Sequence, residues 1–155
     1  MTRSTRLLRR WFAVGSVSWA VALPAATFAS AQLHPPAPLY LFALSIYATG
    51  SVVCHQLPAR SFFVWGRQMP VCARCVGIYV GAAIAVVMFR SARSASRRLQ
   101  PTLFLAVLPT AATLVFEWTT GITPANWIRA AAGVVLGAAV AALAMDRLAA
   151  DPEVN

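Results

Sequence analysis

A chain of 155 residues that is 59% apolar and only 11% charged lies far from soluble domains, in which about a quarter of residues carry charge. All 13 basic residues are arginine and the net charge is +9, a balance that in a soluble chain points to nucleic acid. Here the arginines stand beside apolar runs, at Arg3, Arg6, Arg9 and Arg10, at Arg60, Arg67 and Arg74, and at Arg90, Arg93, Arg97 and Arg98. That placement reads as topology signals and contacts to anionic phospholipid headgroups, not as a nucleic-acid surface.

The apolar runs are each near the roughly 20 residues that cross a hydrocarbon core, so the fold class is all-α, a helical integral membrane protein with a bundle of about five transmembrane helices. A basic segment over 1–10 precedes a single helical domain over 11–146. The first helix covers 11–31; its arginine-rich start and the Ala29-Ser30-Ala31 sequence also resemble a cleavable signal, but the run exceeds a signal core of about 7 to 15 residues, so it reads as a retained helix. The prolines after His34 make a stiff connector. A second helix covers 39–57, opening with Tyr40 as an interface aromatic. After a polar and aromatic turn, Pro70 suits the first turn of a third helix over 71–89. A basic hairpin over 90–98 leads to a fourth helix over 102–119. Gly121 and Pro124 punctuate the next turn, a fifth helix covers 126–145, and an acidic, disordered tail follows over 147–155.

If every helix crosses the bilayer in turn, one membrane face gathers Cys54, His55, Cys72, Cys75, Glu117, Asn126 and Arg129, and the basic hairpin occupies the other. The N-terminal arginines then put the cysteine face in the cytoplasm, whereas the hairpin arginines argue for the opposite orientation.

Cys54-His55, then Cys72-Ala73-Arg74-Cys75, brings together every cysteine of the chain and one of its two histidines. Cys72 and Cys75 are three apart, one turn apart on a helical face, the bite of a two-cysteine zinc knuckle. A helix N-terminus and Arg74 favour the thiolate. Three readings stay open. The four side chains bind zinc or iron in a Cys3His site; or Cys72 and Cys75 form a redox pair with Cys54 as exchange partner, coupled to a membrane quinone; or all are small buried side chains without special chemistry.

Cys54-His55-Gln56, Arg60-Ser61-Phe62, Gly66, the run from Pro70 to Cys75, Gly77-Ile78-Tyr79 and Gly81 resemble the signature of the bacterial and archaeal membrane family known as domain of unknown function 2085. The resemblance covers 54–81, with Val76 where the family commonly has threonine. It implies a site at these positions and supplies no chemistry for it.

Gly77/Gly81 and Gly133/Gly137 are two small-residue pairs at the four-residue spacing that lets helix backbones approach in lipid. Gly77 and Gly81 fall nearly opposite the paired cysteines on a helical wheel, which turns helix 3's glycines toward helix 5. Glu117 and Arg129 are expected to pair, because an isolated charge in a membrane helix costs about 2.5 to 3.5 kcal/mol. Arg129 and Asn126 share the glycine face, so Arg129 is expected to point away from the thiols. Arg60 and Arg67, among Phe62, Phe63 and Trp65, read as an interfacial lid. A metal-binding membrane protein is the first functional reading and a thiol-disulfide oxidoreductase the second. The third is a small transporter or lipid-handling protein, which at this size needs a homo-oligomer to enclose a path.

Overall fold

The computed structural model describes residues 3–88 and 99–148; the basic hairpin expected over 90–98 and nearly all of the acidic tail lie outside the described residues. The elements in chain order are α1 (Arg3–Ala31), α2 (Ala37–Val53), a 3-10 turn (Pro58–Arg60), a hairpin of β1 (Phe63–Val64) and β2 (Arg67–Gln68), α3 (Ala73–Met88), α4 (Leu99–Thr120) and α5 (Asn126–Arg147). The helical membrane protein read from composition is the one that forms. Segments of α1, α4 and α5 are long and apolar enough to cross a membrane, at Ser4–Ala31, Pro101–Thr120 and Asn126–Arg147. Their outer faces expose Val21 on α1, Phe104 and Leu108 on α4 and Val140 on α5, side chains that only acyl chains solvate well. Trp11 is exposed near one end, and Trp118 and Trp127 near the other, where amphipathic rings meet headgroups. The basic segment over 1–10 is not separate, since α1 already begins at Arg3.

α3 and α5 form the spine. A methyl placed at Gly77 would overlap the carbonyl of Ala130, and one at Gly81 that of Val134. Reciprocally, Gly133 lies against the Arg74 carbonyl and Gly137 against that of Ile78. Contacts that advance together along both chains mean that the two helices run parallel. Glycine is required here because any Cβ would drive the backbones apart. α4 packs against α5, held by the Thr110 hydroxyl, which donates to the Ala132 carbonyl at 3.2 Å.

α1 runs antiparallel to α3. Phe12, Ala13 and Val17 share a core cluster with Ala85, Val86 and Met145. Further along, Trp19 meets Tyr79 edge-on at 5.9 Å, Leu23 joins Met69 and Val71, and Phe28 meets Trp65 at 5.4 Å. The molecule therefore has two ends. The first turns of α1 and the last turns of α3 and α5 make one; the last turn of α1, the hairpin and the starts of α3 and α5 make the other, which holds the cysteines.

α2 does not follow the expected alternation. It leaves the last turn of α1 at the cysteine end, its Tyr47 hydroxyl donates to the Gln68 carbonyl of the hairpin, Gly50 presses on the Pro70 carbonyl, and it delivers Cys54 beside Cys72. A helix that begins and ends at one end of the bundle has not crossed it. Ala43 and Gly50, two turns apart, are buried against the protein, while Leu41, Leu44 and Val52 are exposed. Its apolar composition fits lipid without requiring a crossing. Two corrections follow. The N-terminal arginines stand at the end remote from the cysteines, so they do not place the cysteine face in the cytoplasm. The second helix also stops at Val53, short of the expected 57, and the third starts at Ala73, leaving Pro70 in the preceding bend.

Gly81→Ala is expected to lower the unfolding midpoint in detergent, with a loss of about 1–3 kcal/mol or more from overpacking, whereas Gly15→Ala, inside α1 and facing open space, leaves it unchanged or raises it by the helix preference of alanine. Thermal melts followed by circular dichroism check this; equal midpoints for both variants would dissolve the spine.

Candidate metal centre

Cys54 closes α2, its amide donating to the Gly50 carbonyl at 2.9 Å. Its own backbone is extended, with φ −148° and ψ 139°. Extended residues send consecutive side chains to opposite sides, so Cys54 turns inward, half-buried, while His55 is exposed. Gln56 then takes φ 49°, a left-handed conformation costing a non-glycine residue about 1–2 kcal/mol. Hydrogen bonds hold it there: its Nε2 donates to the carbonyls of Tyr47 at 3.0 Å and Pro70 at 2.6 Å, and Gln68 Nε2 donates to its carbonyl. Gln56 is thus the clamp that folds the end of α2 onto the start of α3.

From the other side, Cys72 sits at the cap of α3, its carbonyl accepting from the Val76 amide at 3.0 Å; Cys75 lies in the first turn. Their sulfurs stand 3.6 Å apart, and the Cys72 amide donates to the Cys54 sulfur at 3.2 Å. All three sulfurs lie within 4.8 Å of one another, and all three cysteines are free. Among the described residues this group contains no histidine. The expected Cys3His set therefore closes as three cysteines, because the alternation that brings Cys54 in takes His55 out. Leu23, Met69 and Val71 form the apolar bed beneath, with Trp19 and Tyr79 alongside.

Three sulfurs at this spacing suit a soft metal ion. Tetrahedral zinc binds thiolate at about 2.3 Å, which sets neighbouring sulfurs about 3.8 Å apart, close to the spacing of Cys72 and Cys75. The Cys72 thiol is held down at about 5, chiefly by a hydrogen bond from Cys75 and with smaller help from Cys54 and the Arg129 charge, against burial, which acts the other way. A sulfur that ionises this readily is a ready ligand and a ready nucleophile.

The charged residues are arranged differently from the expected pairing. Glu117 is bridged by Arg60 at 2.6 Å and accepts from the Thr123 hydroxyl at 3.3 Å. Arg129, only 1% exposed, donates to the Arg60 carbonyl at 3.4 Å, and Asn126 donates to the Ser61 carbonyl at 2.9 Å. Arg74 reaches Thr113 at 3.1 Å. α5 thus grips the turn that carries Arg60, and that arginine, not Arg129, neutralises the carboxylate of α4. Arg129 lies on the glycine face and is held by the Arg60 carbonyl; its charge acts on Cys72 from a distance. Arg67, in β2, lines a groove with Tyr40 and Tyr47 on the other side of the hairpin. Tyr47, Gln68 and Leu23 contribute to the site without having been singled out in the sequence. A tyrosine in an apolar helix and a glutamine beside the hairpin turn were the available signals; Leu23 had none.

A family described as predicted membrane proteins, domain of unknown function 2085, matches residues 54–143. The chain belongs to that family. It is similar to an uncharacterised protein of Methanocaldococcus jannaschii, 48% identical over 46 residues that make up 30% of each chain. It is also similar to an uncharacterised protein of Methanothermobacter thermautotrophicus, 53% identical over 30 residues, 19% of this chain and 27% of that one. The matched stretch thus spans less than a third of either relative. No solved structure matches.

Lowering the Cys72 pKa favours the folded state above the ordinary thiol value near 8.5, and this contribution is lost as pH falls through about 5. In metal-free protein, maleimide labelling of Cys72, mapped by mass spectrometry, is expected to be half-maximal near pH 5, with His55→Ala leaving the profile in place. A midpoint above pH 8 would contradict the geometry.

Proposed function

We propose that this membrane protein holds a zinc or iron ion on Cys54, Cys72 and Cys75, on the non-cytoplasmic side of the membrane. The observation that carries the metal reading is the convergence of three free sulfurs within 4.8 Å from two segments that only the fold brings together. Three protein ligands leave a fourth position for water or an exogenous donor, the pattern of reactive metal sites rather than of closed structural ones. The nearby arginines favour the anionic thiolates such an ion needs, and they act against the apolar bed, which disfavours charge. The ion would join the end of α2 to the start of α3, so metal and fold are coupled.

The side follows from charge. Arg6, Arg9, Arg10 and Arg147 belong to the end remote from the cysteines, as do Met88 and Leu99, and the sequence between those two carries Arg90, Arg93, Arg97 and Arg98. The cysteine end carries Arg60, Arg67, Arg74 and Arg129, of which Arg60 pairs with Glu117. Basic residues near helix ends are retained in the cytoplasm, which leaves the cysteines outside.

A second reading rests on the 3.6 Å separation of the Cys72 and Cys75 sulfurs. As thiolate, Cys72 attacks a partner disulfide and releases one partner sulfur as thiolate; Cys75 then displaces the second, leaving a Cys72–Cys75 disulfide and a reduced partner. Two electrons pass to the partner, and a membrane quinone is an alternative acceptor.

Elemental analysis separates the two. About one zinc or iron per chain, falling to below about a tenth of that in Cys54→Ser and in Cys72→Ser but retained in His55→Ala, is expected for the metal site. Metal-free protein with an exchangeable Cys72–Cys75 disulfide would assign the thiol chemistry instead. For orientation, green fluorescent protein fused after Asn155 is expected to fluoresce and alkaline phosphatase fused there to be inactive, because α5 ends at the arginine end; the reverse pair of results would invert the protein.

A further inference from the structure

The remote end carries a second feature. A cavity of about 870 Å³ opens between the first turns of α1 and the last turns of α3 and α5. Its polarity changes along its length. Arg6 and Arg10, one turn apart on one face of α1, line the mouth, and Ala13, Val17, Val86 and Met145 line the depth. From Arg6 to Val17 the helix rises about 16 Å, enough for a polar group at the mouth and hydrocarbon below it. Arg9 also lines the cavity.

The start of α1 favours an anion as well. The N-terminus of a helix carries partial positive charge and favours acidic side chains in its first turn. α1 has none there; arginines follow at 6, 9 and 10 instead. Guanidiniums stacked on the positive end of a dipole, above an apolar slot that faces the bilayer, call for a partner that is anionic at one end and hydrocarbon at the other. We propose that this groove is a binding site for an anionic glycerophospholipid, its phosphate on Arg6 and Arg10 and one acyl chain along Ala13, Val17 and Val86. Guanidinium recognises phosphate through paired N–H donors, and juxtamembrane arginines gain about 1 kcal/mol each from anionic lipid. The site is independent of the cysteines and of their metal.

The test uses the full chain in mixed micelles of phosphatidylglycerol and phosphatidylcholine in equal amounts, with retained lipid read by native mass spectrometry. Wild type is expected to keep one phosphatidylglycerol in preference to phosphatidylcholine, and Arg6→Gln/Arg10→Gln to lose that preference about tenfold or more. Arg147→Gln, exposed at the same end but outside the groove, is expected to keep it. Val17→Trp, which fills the slot and spares the charges, is expected to lose it. Equal loss in Arg147→Gln would reduce the effect to surface charge and overturn the site, as would retained preference in both groove variants. A preference absent in wild type that appears only in Asp151→Asn/Glu153→Gln would give the groove to the chain's own acidic residues and overturn it as well.

Discussion

Direct backbone contact between α3 and α5 is the constraint on which the rest of the structure depends. Helices gain little from hydrophobic association in lipid, so close packing must come from shape. Glycines placed reciprocally on both helices let each backbone sink into the other and fix the register without slack. That register brings the first turn of α5 alongside the first turn of α3. Asn126 and Arg129 can then seize the carbonyls of Ser61 and Arg60, and the turn that follows Cys54 acquires a fixed position. Without the glycines, the cysteines would have no reason to stay where α2 delivers them.

The second requirement is that α2 should stop early. A helix continued to 57 would have carried Cys54 and His55 on adjacent, diverging positions of one cylinder. Instead the chain straightens at Cys54 and reverses at Gln56, whose amide bridges Tyr47 and Pro70. The strained φ of Gln56 is offset by these bonds, made where little water competes. This small polar knot sits between two apolar helices and aims one sulfur inward at the expense of the imidazole.

Much of this was legible in the sequence, and the failures have physical reasons. Membrane class followed from composition, since few charges and long apolar runs leave no other solvent. The glycine faces followed from helical period. The cysteines could be placed near one another because a short turn separates their segments. The path of α2 was not legible: hydropathy measures the cost of leaving water, and a helix lying against the bundle at the membrane surface satisfies it as well as one that spans. That single misreading moved the N-terminal arginines to the wrong end. The partner of Glu117 was equally hidden, because two side chains on neighbouring helices are an obvious pair, whereas Arg60 arrives from a turn whose direction no period encodes. His55 was assigned by adjacency, and adjacency in an extended segment means opposite sides.

The charges at the cysteine end argue for the state in which those sulfurs exist. Arg60, Arg74 and Arg129 converge there against the single carboxylate of Glu117, and Arg129 is almost wholly withdrawn from solvent. Burying a cation without compensation costs several kcal/mol, and Glu117 is already engaged by Arg60. Three neutral thiols would do nothing to relieve this. Three thiolates around a divalent ion carry one net negative charge, as does a single thiolate at Cys72, and either one adds to the compensation that Arg129 draws from Glu117. The arginine and the sulfurs thus stabilise one another across the start of α3: the cation favours ionised sulfur, and ionised sulfur makes the buried cation tolerable. A set of inert packing cysteines explains the apolar bed beneath them but adds nothing to balance the charge that Arg129 brings when it holds the Arg60 carbonyl.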